Sequence, residues 1–572
     1  MKKILLYLAG AAATLSLVGC EGLLDIPQKG VVSIDDFYKT DEDAQSALTA
    51  AYSRASCFYV YNNTIGWNDS PHLAVWSYPS DDIYAAGNNA SDNVPQQEMN
   101  SFRFDNNNGN VTAAYQSYYV AIYAANLVID NFDGEKADSP IKKKCVAEAR
   151  ILRAHAHLML ALGWGTPPII DHVIPSTEKP ANSESQAQVL KWVANECDLA
   201  MPVLDERESV NDKNGAVKVT KAFAQGIKGK ALLSLKDWKG AREALKPIVD
   251  ARDKYELVPS DHMVDLFHLE GDGCSESIFE FNLVWASDVP SFYDRAGRNQ
   301  AILWNWRMDK MRPVNGMGSQ VVNNGWGEVN PTRKFIETLL ANDGINSARR
   351  KAWVKSYDEV LYEMPYLSDA TATTKELKEK DTARGIYAGD GLYGHCGWFM
   401  WKRNYRPSDL NPSNQRMYNF PIMRLPEVLL MYAECCAQTG TDLGKGLDAI
   451  LEIQKRAGIP AANYATECTL DVVKKEKKFE LFTESCRFAD CVRWGDTAGM
   501  ETAGTNLPTL YDHMFDADEA TRTDVHSPYV KHYEYNKEAE KQTGFQKGKH
   551  ELFPFPTLET SINPNIVQNP GW

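Results

Sequence analysis

Several things are scarce in this 572-residue chain. Its eleven cysteines include no Cys-x-x-Cys pair, and no histidine completes a zinc-type spacing, so zinc ribbons and fingers are excluded. No Gly-x-Ser-x-Gly elbow or Gly-x-x-x-x-Gly-Lys loop occurs, which removes the motifs of α/β-hydrolases and P-loop nucleotide enzymes. Beyond the N-terminus, no apolar run approaches the ~20 residues of a membrane helix. Positive charge is also short: 61 Lys and Arg stand against 76 Asp and Glu, a formal charge of −15. Such a body repels nucleic acid and anionic head groups, so neither is an expected partner. Hydrophobic residues make up 44%, which argues for a packed body and against disorder.

The N-terminus is the first positive signal. Lys2 and Lys3 precede an apolar run from Ile4 to Ala13, and Leu17-Val18-Gly19-Cys20 follows. A basic start, a short apolar core and a small residue at the cut describe a secretory signal too short to span a bilayer. The four-residue box resembles the lipobox of bacterial lipoproteins, in which cleavage exposes the cysteine for acylation. Residues 1–19 are then the signal peptide, Cys20 the lipidated residue, and 20–40 a tether rich in Gly and Pro. Each buried CH₂ contributes about 0.8 kcal/mol, so several acyl chains anchor a protein durably. The alternative is an ordinary signal with an incidental cysteine.

Helical patterns dominate the body. They cover Ala44–Ala55, Val111–Phe132, Ile141–Trp164, Ser185–Leu204, Thr220–Leu235, Lys239–Val249, Leu425–Gln438, Gly446–Ala457 and Leu470–Arg493. Asp41-Glu42-Asp43 suits a helix N-terminus, and the Gly163-Trp164-Gly165-Thr-Pro-Pro cluster stops a helix. Pairs joined by short turns, as at Asp237–Ala241, predict a mainly α, tetratricopeptide-like scaffold. Between them, residues 58–110, 281–330 and 364–422 lack a period but hold aromatics, and read as long ordered loops with a few short strands such as Ser277–Asn282. The remaining cysteines, Cys435, Cys436, Cys486 and Cys491 among them, lie in apolar sequence and read as small buried hydrophobes.

Within Leu470–Arg493, Glu476, Glu480, Glu484, Arg487 and Asp490 share one side of the predicted helix, opposite Phe479, Phe482 and Phe488. The reading is a charged face paired internally through Arg487. His155 and His157, two apart, point away from each other and read as packing residues. Asp81-Asp82 lacks the oxygen ladder of a calcium loop. A pair of glycosidase carboxylates meets only in the fold, so hydrolysis leaves no spacing to find.

The strongest functional signal is aromatic placement. Trp76 and Tyr84 in the first irregular segment, and Trp285, Trp304, Trp306 and Trp326 in the second, lie among many asparagines. Flat rings beside amides and carboxylates suit a sugar, whose C–H face packs on the ring while its hydroxyls bond to the rim. Those six are the stacking candidates, with Asp81 and Asn305 as hydroxyl partners. No catalytic, metal or cofactor residues are assigned.

The order of motifs resembles the SusD/RagB outer-membrane nutrient-binding lipoproteins of Bacteroidetes-type bacteria. The likeness is carried by Cys20, by Ser33–Tyr38, and by Glu148–Ala154 running into Gly163–Pro168. It continues through Arg424–Glu434, Arg487–Asp490, Arg493-Trp494-Gly495 and the C-terminal stretch from Phe555 to Trp572. Where that family often has an aromatic and acidic pair, this chain has Gly165-Thr166. The resemblance implies one body over 41–572, with helical scaffold at about 41–57, 111–280 and 423–500 and ligand-binding loops at about 58–110 and 281–422. It also implies a lipid-anchored protein on the outer membrane, facing outward. Such a protein would capture oligosaccharide for a SusC-like TonB-dependent transporter without doing chemistry. A peptide-binding RagB-like role and a surface glycoside hydrolase are the alternatives. On this reading, replacing Trp304 and Trp306 with Ala abolishes glycan binding and leaves the helical fold intact; unchanged affinity removes that segment from the site.

Overall fold

The computed structural model describes residues 37–57, 71–283, 311–312, 326–356, 359, 385–386, 392–404, 407–409, 418–501, 507–510 and 544–572. Cys20, Trp285, Trp304, Asn305 and Trp306 lie outside them.

The scaffold is a stack of helix pairs. Helix α1 (Asp41–Ser56) opens with a capping box: Asp43 N donates to Thr40 Oγ1 and Thr40 N to the Asp43 carboxylate. Then come α2 (Pro71–Trp76), α3 (Val94–Asn100), α4 (Gly109–Phe132), α5 (Pro140–Trp164), α6 (Gln186–Ala200), α7 (Lys221–Ser234) and α8 (Trp238–Asp250). Side chains of Asn108, Ser139, Ser185, Thr220 and Asp237 cap the last five of these, each satisfying amides that a helix start leaves open. Helix α5 ends at Gly165, where φ is 73°. The later helices are α9 (Arg333–Asp343), α10 (Ala348–Trp353), α11 (Leu425–Thr439), α12 (Leu443–Ala457), α13 (Leu470–Glu480), α14 (Arg487–Trp494) and α15 (Thr557–Ile562).

Contacts run α4 to α5, α5 to α6, α6 to α7, α7 to α8, α8 to α11 and α11 to α12, with α1 laid over α4 and α5. Each helix is covered mainly by its neighbours in the row, as in tetratricopeptide-like solenoids. Among the described residues, no helix is long and apolar enough to cross a membrane.

Strands occur only as two-stranded antiparallel ribbons among the described residues. They pair β1 (Ile83–Ala85) with β4 (Val329–Pro331), β2 (Ser277–Phe281) with β9 (Phe420–Arg424), and β3 (Met311–Arg312) with β6 (Gly385–Ile386). The last two are β5 (Val354–Ser356) with β8 (Trp398–Met400), and β7 (Leu392–Tyr393) with β10 (Thr509–Leu510). The mainly α scaffold with loop-rich insertions is therefore present. Within segment 58–110, residues 71–110 are less irregular than their sequence suggested: all six residues of α2 are buried, so the helix carries no amphipathic stripe to betray it.

The single late helix expected over Leu470–Arg493 is two helices. Between them Thr483 and Ser485 both take φ of 63°, outside the helical range. Lys402, from the end of the β8 segment, holds the break open. Its Nζ donates to the carbonyls of Glu480 (3.2 Å) and Phe482 (2.8 Å) and to Glu484 Oε1 (2.5 Å). These are the carbonyls that a helix end leaves unsatisfied.

Nor do Glu476, Glu480 and Glu484 pair through Arg487; their partners come from other elements. Arg424 meets Glu276 at 2.6 Å and Glu484 at 2.8 Å, while Arg456 meets Glu276 at 2.8 Å and Glu480 at 2.6 Å. Arg349 binds Asp343 twice at 2.8 Å and also pairs with Glu476. Burial pushes the Glu484 carboxyl up, but Arg424 and Lys402 outweigh it and hold it at about 2. Removing one partner of such a group strands a buried charge, at about 3–5 kcal/mol. Glu480→Ala is expected to destabilise the protein by that amount in denaturant titration; a loss under about 1 kcal/mol would show the network to be dispensable.

Candidate functional site

Within the segments expected to bind ligand, the described residues include the β1–β4 ribbon. Asn100, on α3, locks β1 from behind: its Oδ1 accepts from Ala85 N (3.0 Å) and its Nδ2 donates to the carbonyls of Ile83 (3.1 Å) and Tyr78 (2.5 Å). On the other strand, Thr332 N donates to Asp82 O at 2.8 Å, and its hydroxyl donates to Asp81 O at 3.0 Å while capping α9. Ala86 N donates to Glu328 O at 2.8 Å, prolonging the pairing.

Beyond β1 the chain enters a polar turn, residues 87–93. It starts at Gly87, whose φ of 133° favours glycine. Asn88 N donates to Asp92 Oδ2 at 2.8 Å and Ser91 N to Asn89 Oδ1 at 2.8 Å. Gln97 Nε2 donates to the carbonyls of Asn89 (3.2 Å) and Asp92 (2.5 Å), and Asn93 Nδ2 donates to Glu328. Two apolar side chains stay exposed on the segments so joined, Trp326 at 37% and Val94 at 45%. An exposed indole thus precedes β4, and a turn rich in amides follows β1; a ring and amides are groups that saccharide sites use.

The ribbon is bolted to the scaffold through Asp81. Its carboxylate takes Arg487 Nε at 2.8 Å, Arg487 Nη2 at 3.0 Å and Lys478 Nζ at 3.3 Å. Burial would raise the Asp81 carboxyl, but the Arg487 and Lys478 cations overcome it and hold it well below the usual range. Neighbouring Asp82 moves upward, through burial and the Asp81 charge. Asp81 is therefore not the hydroxyl partner expected from its position. Both oxygens are committed to cations, and Arg487 spends its charge across the fold instead of along its own helix.

Two stacking candidates are likewise misplaced. Trp76 is 0% exposed: its Nε1 donates to Tyr118 Oη at 2.8 Å, and its ring packs on Phe553 and Phe488 at 5.6 and 6.2 Å. Tyr84 is 2% exposed at the centre of β1. Neither presents a face to a ligand. Trp326 is partly exposed, at 37%, whereas Trp285, Trp304, Asn305 and Trp306 lie outside the described residues.

Trp401 was missed. It is half-buried at the end of β8, with Lys355 Nζ 4.2 Å from its ring centroid; the local run Trp398-Phe399-Met400-Trp401 was the available signal. His155 and His157 are packing residues, His157 bonded through both nitrogens to Arg153 O and Ile170 N. Among the described residues no group of three or more His, Cys, Asp or Glu could hold a metal. The ten described cysteines are all free thiols, mostly buried.

Comparison with known proteins agrees with this architecture. Residues 292–572 match the family described as "SusD family", and residues 80–201 match one described as "Starch-binding associating with outer membrane". The chain belongs to the SusD/RagB family. Relatives include a SusD-like protein of Bacteroides ovatus, 24% identical over 86% of this chain and 83% of the relative. SusD-like protein P2 of Formosa agariphila is 21% identical over 98% of both chains. Similar solved structures include a laminarin-binding SusD-like protein, with a TM-score of 0.68 at 20% identity over 94% of this chain and all of that one. Another is surface glycan-binding protein A of Bacteroides thetaiotaomicron in complex with laminarihexaose, with a TM-score of 0.67 at 20% identity over 92% of this chain and 99% of that one. The shared fold is the helical scaffold described above.

The depressed Asp81 carboxyl fixes the sign of one pH effect. Its contribution to stability is whole above the unfolded aspartate value of about 3.9 and is lost as pH falls through the lower folded value. Thermal midpoints of the protein and its Asp81→Asn variant, taken from pH 7 to 3, should differ most at neutral pH and converge in acid. A gap that widens in acid refutes the strut.

Proposed function

We propose that this SusD/RagB member is a non-catalytic glycan-binding lipoprotein of the outer membrane. The reading is carried by the exposed Trp326 indole, three residues before β4 of a ribbon whose other strand runs into the asparagine-rich turn 87–93. It is supported by the laminarin and laminarihexaose named for proteins of the same fold. In this reading Trp326 stacks on the sugar, and Trp285, Trp304, Asn305 and Trp306 are its further contacts. Acyl chains on Cys20 hold the body at the cell exterior, and bound oligosaccharide passes to a SusC-like TonB-dependent transporter. The helical scaffold supplies rigidity and the loops supply recognition, a division common where binding residues sit on loops over a stable frame.

Electrophoresis through gels containing laminarin, starch, xylan or galacturonan tests the reading. The protein should be retarded by at least one of them, without releasing new reducing ends. Trp326→Ala should weaken that retardation about tenfold, a loss of about 1.4 kcal/mol. Retention by none, with binding to a peptide panel instead, assigns the alternative cargo. New reducing ends assign hydrolysis.

A further inference from the structure

The turn between β7 and β8 runs along the β1–β4 ribbon and is pinned to it on both sides of His395. Gly394 lies so close to Ala86, just past β1, that a Cβ there would fall 2.2 Å from the Ala86 Cβ. Its φ of 76° independently demands glycine. Cys396 Sγ donates to the carbonyl of Pro331, the last residue of β4, at 3.4 Å.

Between these anchors His395 is 0% exposed, its ring centroid 4.8 Å from that of Phe399. Neither of its ring nitrogens makes a hydrogen bond among the described residues. Burial lowers the imidazole to about 3, so the ring is neutral, with one donor and one acceptor. Three other buried histidines are bonded: His157 through both nitrogens, His268 to Asp409 at 2.7 Å and His72 to Tyr118 at 3.0 Å. A buried donor and acceptor left without partners cost the full desolvation of each, and a phenylalanine would fill the same space without that cost. A polar ring kept at such a disadvantage beneath the ribbon that presents Trp326 calls for a role that the unliganded fold does not supply.

We propose that His395 is a binding residue of the glycan site, whose two ring nitrogens hydrogen-bond to hydroxyls of the bound saccharide. This rests on the glycan reading given above. A hydroxyl both donates and accepts, so it suits either nitrogen of a neutral imidazole. The ring reaches the ligand by a change of side-chain rotamer, a common adjustment on binding. It lies on a segment anchored to Ala86 and to Pro331, on the ribbon that Trp326 leads into, and reads hydroxyls where the indole reads the C–H face.

The test compares three proteins in the same laminarin, starch, xylan and galacturonan gels, with melting curves in parallel. His395→Phe should melt at or above the wild-type temperature, yet lose at least tenfold in retention on the polysaccharide that retards the wild type. His395→Gln, which keeps a donor and an acceptor, should recover part of that loss. Wild-type retention in His395→Phe overturns the proposal and leaves the glycan reading standing. A variant that melts lower and binds weakly in proportion assigns the ring to packing, which also overturns it. Failure of the wild type on every gel removes the glycan reading and this inference together.

Discussion

Charge taken out of water has to find counter-charge, and in this protein that requirement fixes how the ribbons meet the stacked helices. Four cations, Arg349, Arg424, Arg456 and Lys402, interleave with Asp343, Glu276, Glu476, Glu480 and Glu484. The participants come from β9 and the residue before β2, from α9, α10, α12 and α13, from the break after α13, and from the end of the β8 segment. Hydrophobic packing tolerates small slippage between elements, whereas bidentate guanidinium pairs do not. The network therefore acts as a register mark. It sets where the ribbons sit on the stacked helices, whatever its net contribution to stability.

The candidate site inherits that register through a second set of charges. Lys478 sits on α13 next to the network, Arg487 opens α14, and both end on Asp81. From Asp81 the path is short: its carbonyl holds Thr332, Thr332 follows β4, and Trp326 leads into that strand. The break between α13 and α14 is part of the same arrangement. Had the chain continued as one helix, Arg487 would have followed the α13 axis instead of turning to the ribbon. Two non-glycine residues at positive φ are the local cost, offset by the Lys402 ammonium on the freed carbonyls.

Much of the helical stack was legible in the sequence because its cause is local. Ser139 before Pro140 and Gly165 after Trp164 mark a helix on their own, and the structure returns Pro140–Trp164 against the expected Ile141–Trp164. What failed was non-local. Lys402 lies 78 residues from Glu480, so nothing within Leu470–Arg493 announced the interruption. The burial of Trp76 depends on Tyr118, Phe488 and Phe553, up to hundreds of residues away. An aromatic in an asparagine-rich stretch reads the same whether it faces solvent or plugs a helix junction. Asp81 illustrates the point in charge: two adjacent acids suggest an open site until Arg487 arrives from the far end of the chain. The family likeness, carried by motifs over the whole body, conveyed the architecture where local periodicity could not.

The ten described thiols have a consequence for how the body is made. Cross-links are a frequent substitute for core volume in small exported domains, but here every one of these sulfurs is reduced and most are packed as ordinary apolar matter. In the described body, stacked helices and buried ion pairs stand where cross-links would. Assembly of the described body thus draws on no electron acceptor, and the same shape should form with or without oxygen and persist in reductant.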